Sequence, residues 1–152
     1  MTGELSIKLT ETPKEKPRDE DLPFGTIFSD HMFVMDYEQG KGWHSARIEP
    51  YGPFLMEPST MVLHYGQGIF EGLKAYRTVD GKVKAFRPRE HLARLNKSAE
   101  RLCIPKIDTK FVFQALKQLL SIEKGWVPMK EGTSLYIRPF IIAMDPYLGV
   151  RP

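Results

Sequence analysis

Residues 73–86 read LKAYRTVDGKVKAF, and this stretch decides the fold class. Residues 73–78 and 82–86 are two strand-like runs. Between them Val79-Asp80-Gly81 carries an Asp-Gly pair, which accepts the positive φ of a tight hairpin turn. Directly after the second run the periodicity changes. Pro88 opens a helix, because it has no N–H to lose in a first turn and its φ is already helical. Leu92, Leu95, Ala99 and Leu102 recur at steps of three and four, an apolar stripe that Pro105 ends. Asp108 or Thr109 caps a second helix whose stripe is Val112, Ala115, Leu116, Leu119 and Ile122, with Gly125 as its exit.

Working outward, residues 31–37 (HMFVMDY) are rich in aromatic and apolar residues and read as a strand, followed by a turn at residues 40–42. Residues 46–50 read as a second short strand. On the other side of the helices, residues 134–144 (SLYIRPFIIAM) read as a strand in which Pro139, unable to donate to a ladder, sits at an edge or bulge. Strands, two helices and a strand joined by hairpin connections predict an α+β domain: an antiparallel sheet with two helices packed on one side. Residues 1–22 are polar, charged and broken by Pro13 and Pro17, so a mobile or loosely docked segment is expected there, with the folded domain at residues 23–152.

Composition narrows the function. The 152 residues, with 41% hydrophobic and 27% charged side chains, suit one compact domain but are few for a complete cofactor enzyme. A net charge of +3, with acids interleaved among the bases, argues against nucleic acid as a partner. No apolar run approaches the ~20 residues of a membrane span, and no signal peptide is visible. The lone Cys103 lies in an apolar triplet and reads as core. These features are those of a soluble cytoplasmic domain.

The chain has no phosphate-cradling glycine loop of the common types, and its cysteine and histidines show no metal-ligand spacing. Three features remain. His91, Arg94, Ser98 and Arg101 line the polar side of the first helix. They form either a solvated face or one on which Arg94 meets a phosphate, since a guanidinium forks onto two oxygens and keeps its charge. Tyr136 and Arg138 share one strand face; the pair can bind a carboxylate or be an ordinary solvated sheet face. Residues 63–76, LHYGQGIFEGLKAY, place Gly66, Gly68 and Gly72 in an aromatic, apolar stretch. They serve either close backbone approach or a tight turn.

LHYGQGIFEGLKAYR, FRPREHLARLNKSAERLCIP and GTSLYIRPFIIAMDPYLGV together resemble the small N-terminal domain of the branched-chain amino acid aminotransferases, pyridoxal phosphate enzymes of fold type IV. The resemblance runs from about Phe24 to the last residue. It implies a transaminase moving the amino group between leucine, isoleucine or valine and 2-oxoglutarate in branched-chain amino-acid biosynthesis, as a cytoplasmic homodimer using pyridoxal 5'-phosphate. By position, it implies that Arg94 binds the cofactor phosphate and that Tyr65 and Phe70 line the pocket, with Phe24 as a further aromatic. Tyr136 and Arg138 would face the substrate, the arginine meeting the distal carboxylate of glutamate. Val150 would cover the partner subunit's site. Such a pocket takes both an apolar branch and a second carboxylate, so Arg138 is expected near a rim that water reaches. The Schiff-base lysine and the glutamate that partners the pyridine nitrogen would lie beyond Pro152. No catalytic residue is therefore expected within the 152 residues, which alone should be inactive and bind cofactor weakly or not at all. A D-amino acid aminotransferase, an aminodeoxychorismate lyase relative and a non-catalytic partner-binding domain are the alternatives.

Overall fold

The computed structural model describes residues 4–149. Its longest ladder is an antiparallel hairpin of β2 (His31–Glu38) and β3 (Gly42–Pro50). The strand expected at residues 46–50 thus starts four residues earlier, because the turn returns Trp43 directly opposite Tyr37. The register shifts between Val34 and Asp36, where Ser45 takes a φ of +51°; this bulge lets the two halves of the hairpin keep their buried faces.

Residues 4–22 carry a short strand and several contacts to the rest of the chain. β1 (Ser6–Ile7) adds parallel to β3, pairing Ser6 with Arg47 and Ile7 with Ile48. Farther on, Thr10 N–H donates to His31 Nε2 at 2.8 Å, Lys14 N–H to Asp30 at 2.9 Å, and the Asp19 carboxylate accepts the Met129 and Lys130 N–H groups at 2.8 Å each. Low apolar content predicts looseness only when burial is the sole glue. Here hydrogen bonds from backbone to side chains fasten the segment.

The second ladder carries the surface of interest. α1 (Met61–Tyr65) leads into β4 (Gly68–Phe70), which pairs antiparallel with β8 (Phe140–Ile142). β5 (Leu73–Arg77) lies between β6 (Val83–Ala85) and β7 (Leu135–Ile137). The pairings β4·β8 and β5·β7 keep one register across a break at Glu71-Gly72 and Arg138-Pro139. The run expected to be one strand over residues 134–144 is split at Pro139, which has no N–H to give. Its carbonyl still accepts the Glu71 N–H at 2.8 Å, holding the two halves in line. The β5–β6 turn is the Asp-Gly turn expected from sequence, with Gly81 at φ +77°.

α2 (Pro88–Arg101) starts at its proline, and α3 (Thr109–Ile122) is capped by the Asp108 carboxylate, which accepts the Lys110 and Phe111 N–H groups. The helices pack on each other, α2 also against β4 and α3 against β2. Leu92, Leu95 and Ala99 meet Ile69, Ile104 and Ile107 in the core. Each buried leucine there contributes about 2 kcal/mol by leaving water. The stripe ends before its expected last member, Leu102, which is half exposed, and Cys103, expected in the core, is exposed. Cys103 takes φ +52° just past the helix end, and the Ile104 N–H returns to the Ala99 carbonyl at 2.8 Å. This left-handed helix stop turns Cys103 outward and Ile104 in.

Candidate functional site

The break in the second ladder sets the site. Alternation along β4 and β5 buries Ile69, Glu71, Leu73 and Ala75 and leaves Phe70, Lys74 and Tyr76 outside. Across from them, Tyr136 and Arg138 share the open side. Arg138 donates from Nε at 3.2 Å and Nη2 at 2.8 Å to the Tyr136 hydroxyl. The hydroxyl oxygen accepts, leaving its own proton free to point outward. The guanidinium carbon lies 4.4 Å from the Phe70 ring centre and 5.2 Å from that of Tyr136, so both rings hold the cation by their faces. Phe24 meets Tyr136 edge-on at 5.2 Å. A methyl group on Gly72 would overlap the Tyr136 hydroxyl; glycine here makes room for close approach. Arg138 is exposed, at a rim reached by water. Phe24 and Phe70 are 76% and 64% exposed, and contiguous aromatic surface of this kind marks a face that meets something.

On the helix side of the same break, Glu71 is buried and accepts from Arg94: Nε to Oε1 at 2.5 Å and Nη2 to Oε2 at 2.8 Å. His91 Nδ1 lies 3.1 Å from Oε2, and the Gly72 N–H points to the same oxygen at 3.3 Å. The Arg94 fork, helped by the His91 and Gly72 contacts, holds the Glu71 carboxyl down at about 2, against the opposing effect of burial. Phe70, Glu71 and Gly72 therefore contribute in succession a ring under Arg138, a clamp on Arg94 and a gap for Tyr136.

Of the residues singled out from sequence, Phe24, Phe70, Tyr136 and Arg138 come together. Arg94 is bound to Glu71, on the helix side of the ladder. Tyr65 ends α1, and its ring contact is with His64, not with this group. Val150 lies outside the described residues. Glu71 is not among the residues singled out, although a signal exists for it: it takes the inward place in a period-two row of Ile69, Leu73 and Ala75, where an acid needs a partner. Among the described residues no cluster of His, Cys, Asp and Glu is arranged to hold a metal ion, and no helix is long and apolar enough to cross a membrane.

No family model matches the chain, but individual proteins do. Branched-chain-amino-acid aminotransferase 2 of Bacillus subtilis (strain 168) is 57% identical over 146 residues, 96% of this chain and 40% of its own length. Branched-chain-amino-acid transaminase 1 of the same organism is 58% identical over 138 residues, 91% of this chain and 39% of its own. The chain belongs to the branched-chain aminotransferase family. It spans about 40% of the length of the curated aminotransferases it matches. Among solved structures, the Escherichia coli branched-chain amino acid aminotransferase superposes with a TM-score of 0.57 at 28% identity, covering 69% of this chain and 32% of that one. The branched-chain aminotransferase of the archaeon Thermoproteus uzoniensis, solved with norvaline, gives 0.58 at 26% identity, covering 68% and 33%.

Proposed function

We propose that this chain is the N-terminal domain of a branched-chain amino acid aminotransferase and supplies one wall of its site, where the amino group passes between leucine, isoleucine or valine and 2-oxoglutarate. The observation that carries this reading is the Phe24–Phe70–Tyr136–Arg138 group, an aromatic wall with a cation fixed at its rim. Such a wall sheds water from an apolar branch, while Arg138 and the free Tyr136 proton can meet a second carboxylate. Names of relatives support branched-chain substrates over D-amino acids or aminodeoxychorismate.

Pyridoxal 5'-phosphate fits the residues present: Arg94 is 63% exposed, and Glu71 engages only its Nε and Nη2 edge, leaving the Nη1 side open to a phosphate. When bound, that cofactor supplies the electron sink that transamination needs. Arg94 would hold its phosphate, and the aromatic wall would exclude water from the reacting region. In this reading the lysine that binds the cofactor covalently belongs to the rest of such a protein, which works as a homodimer in the cytoplasm. Tyr65 would complete the pocket's lining, and Val150 would cover the partner subunit's site.

A substrate panel on the full-length protein carrying this chain tests the proposal. Leucine, isoleucine and valine with 2-oxoglutarate should turn over at least about a hundredfold faster than D-alanine, a margin within reach of placed polar contacts. Preference for D-alanine, or no transamination by a cofactor-replete protein, would contradict it.

A further inference from the structure

A guanidinium offers two edges that can each bind two oxygens, one through Nε and Nη2 and the other through Nη1 and Nη2. Glu71 occupies the first edge of Arg94 with both of its oxygens. The second edge shares Nη2, which also lies 3.3 Å from His91 Nδ1, and ends on Nη1, on a side chain that is 63% exposed. Glu71 itself is 6% exposed, seated between the inward-facing Ile69 and Leu73, and is further fixed by His91 and the Gly72 N–H. The acid is thus a rigid anchor rooted in the core, and the arginine is its reach into solvent. An unanchored arginine would lose the freedom of several torsions on meeting an anion; here that freedom is already gone.

We propose that Glu71 is a positioning residue that grips Arg94 by its inner edge and keeps the outer edge aimed at the phosphate of the cofactor. This rests on the reading of Arg94 as the phosphate contact. Glu71 has an opposing effect too, since its negative charge partly cancels that of Arg94. Alignment outweighs neutralisation because the two anions would meet different edges of one guanidinium, each at its own donors.

The test uses the full-length apoenzyme and compares dissociation constants for pyridoxal 5'-phosphate and for pyridoxal, which lacks the phosphate. Their ratio isolates the phosphate contribution from everything that binds the ring. Arg94→Ala should shrink the ratio by roughly a hundredfold and Glu71→Gln by about tenfold, with pyridoxal binding nearly unchanged in both. Glu71→Asp, one methylene short of the fork, should give a loss of the same order and serves if the glutamine variant fails to fold. A ratio unchanged in both Glu71 variants, while Arg94→Ala still shrinks it, would reduce Glu71 to a structural acid. A ratio that rises in Glu71→Gln would make it a neutraliser. Either result overturns the positioning role and leaves the phosphate reading intact. An unchanged ratio in Arg94→Ala would overturn both.

Discussion

Glu71 and Glu123 are both buried, 6% and 3% exposed, and each meets a histidine Nδ1 and a backbone N–H. The side-chain partner of Glu123, His31, is itself buried. His31 Nδ1 approaches to 2.5 Å and the Asp30 N–H to 2.9 Å. His31 Nε2 accepts the Thr10 N–H, which places the ring proton on Nδ1, facing Glu123. Asp30 accepts from the Trp126 indole at 2.9 Å and from Lys14. That network ties the N-terminal segment, β2 and the end of α3 together. Glu71 has a similar start, but its strongest partner, Arg94, stands mostly in water with its Nη1 side outside the clamp. A buried acid is therefore no sign of a site by itself; what it holds at the surface separates a fastening from a piece of machinery.

The largest expected effect is at the Glu123 network. Glu123→Ala leaves the His31 and Asp30 donors buried without an acceptor and should cost about 2–5 kcal/mol, read as a drop in the denaturant midpoint. In the full-length enzyme the phosphate-dependent binding ratio should not change. A loss below ~1 kcal/mol, or a changed ratio, would break the comparison. Gly72→Ala comes next. Its methyl would displace the Tyr136 hydroxyl from Arg138 and cost about 1–3 kcal/mol of overpacking; an unchanged denaturant midpoint would mean that the close approach carries no weight. The smallest effect concerns pH. The Glu71 carboxyl is held at about 2 against an ordinary 4.5, so its stabilisation is fully present above about pH 4.5 and is lost as pH falls toward 2. Allowing for the solvent around Arg94, it is worth about 1–2 kcal/mol. Denaturant midpoints measured from about pH 5 to pH 2.5 should fall less steeply in Glu71→Gln, and equal slopes would show that the Arg94 clamp adds nothing to stability.

Much of this is legible in the sequence because its causes are local. The Asp80-Gly81 turn, the Pro88 start and the Asp108 cap each depend on residues within a few positions. Phe70, Tyr136 and Arg138 can be named from a strand's alternation and a family resemblance. Glu71 escapes because its partner lies 23 residues away on a helix, and only the inward row of Ile69, Leu73 and Ala75 shows that it needs one. Docking of the N-terminal segment escapes for a related reason: its acceptors, His31 and Asp30, lie 21 and 16 residues from the N–H groups they receive, and such pairs leave no periodic trace. Cys103 departs from its expected core place because a helix stop reverses the chain at one residue, and apolar neighbours on both sides do not show which way that residue turns.

The central claim is that the open face of the broken ladder meets two kinds of side chain, one apolar and one charged. Arg138→Met in the full-length enzyme tests it most directly, since methionine keeps length and apolar volume while removing charge and donors. Single-turnover measurements should show kcat/KM for glutamate and 2-oxoglutarate falling about a hundredfold, a loss of ~3 kcal/mol. For leucine, kcat/KM should stay within about fivefold. Equal losses for both substrates would make Arg138 a structural residue of the wall, and no loss for either would return Tyr136 and Arg138 to an ordinary solvated sheet face.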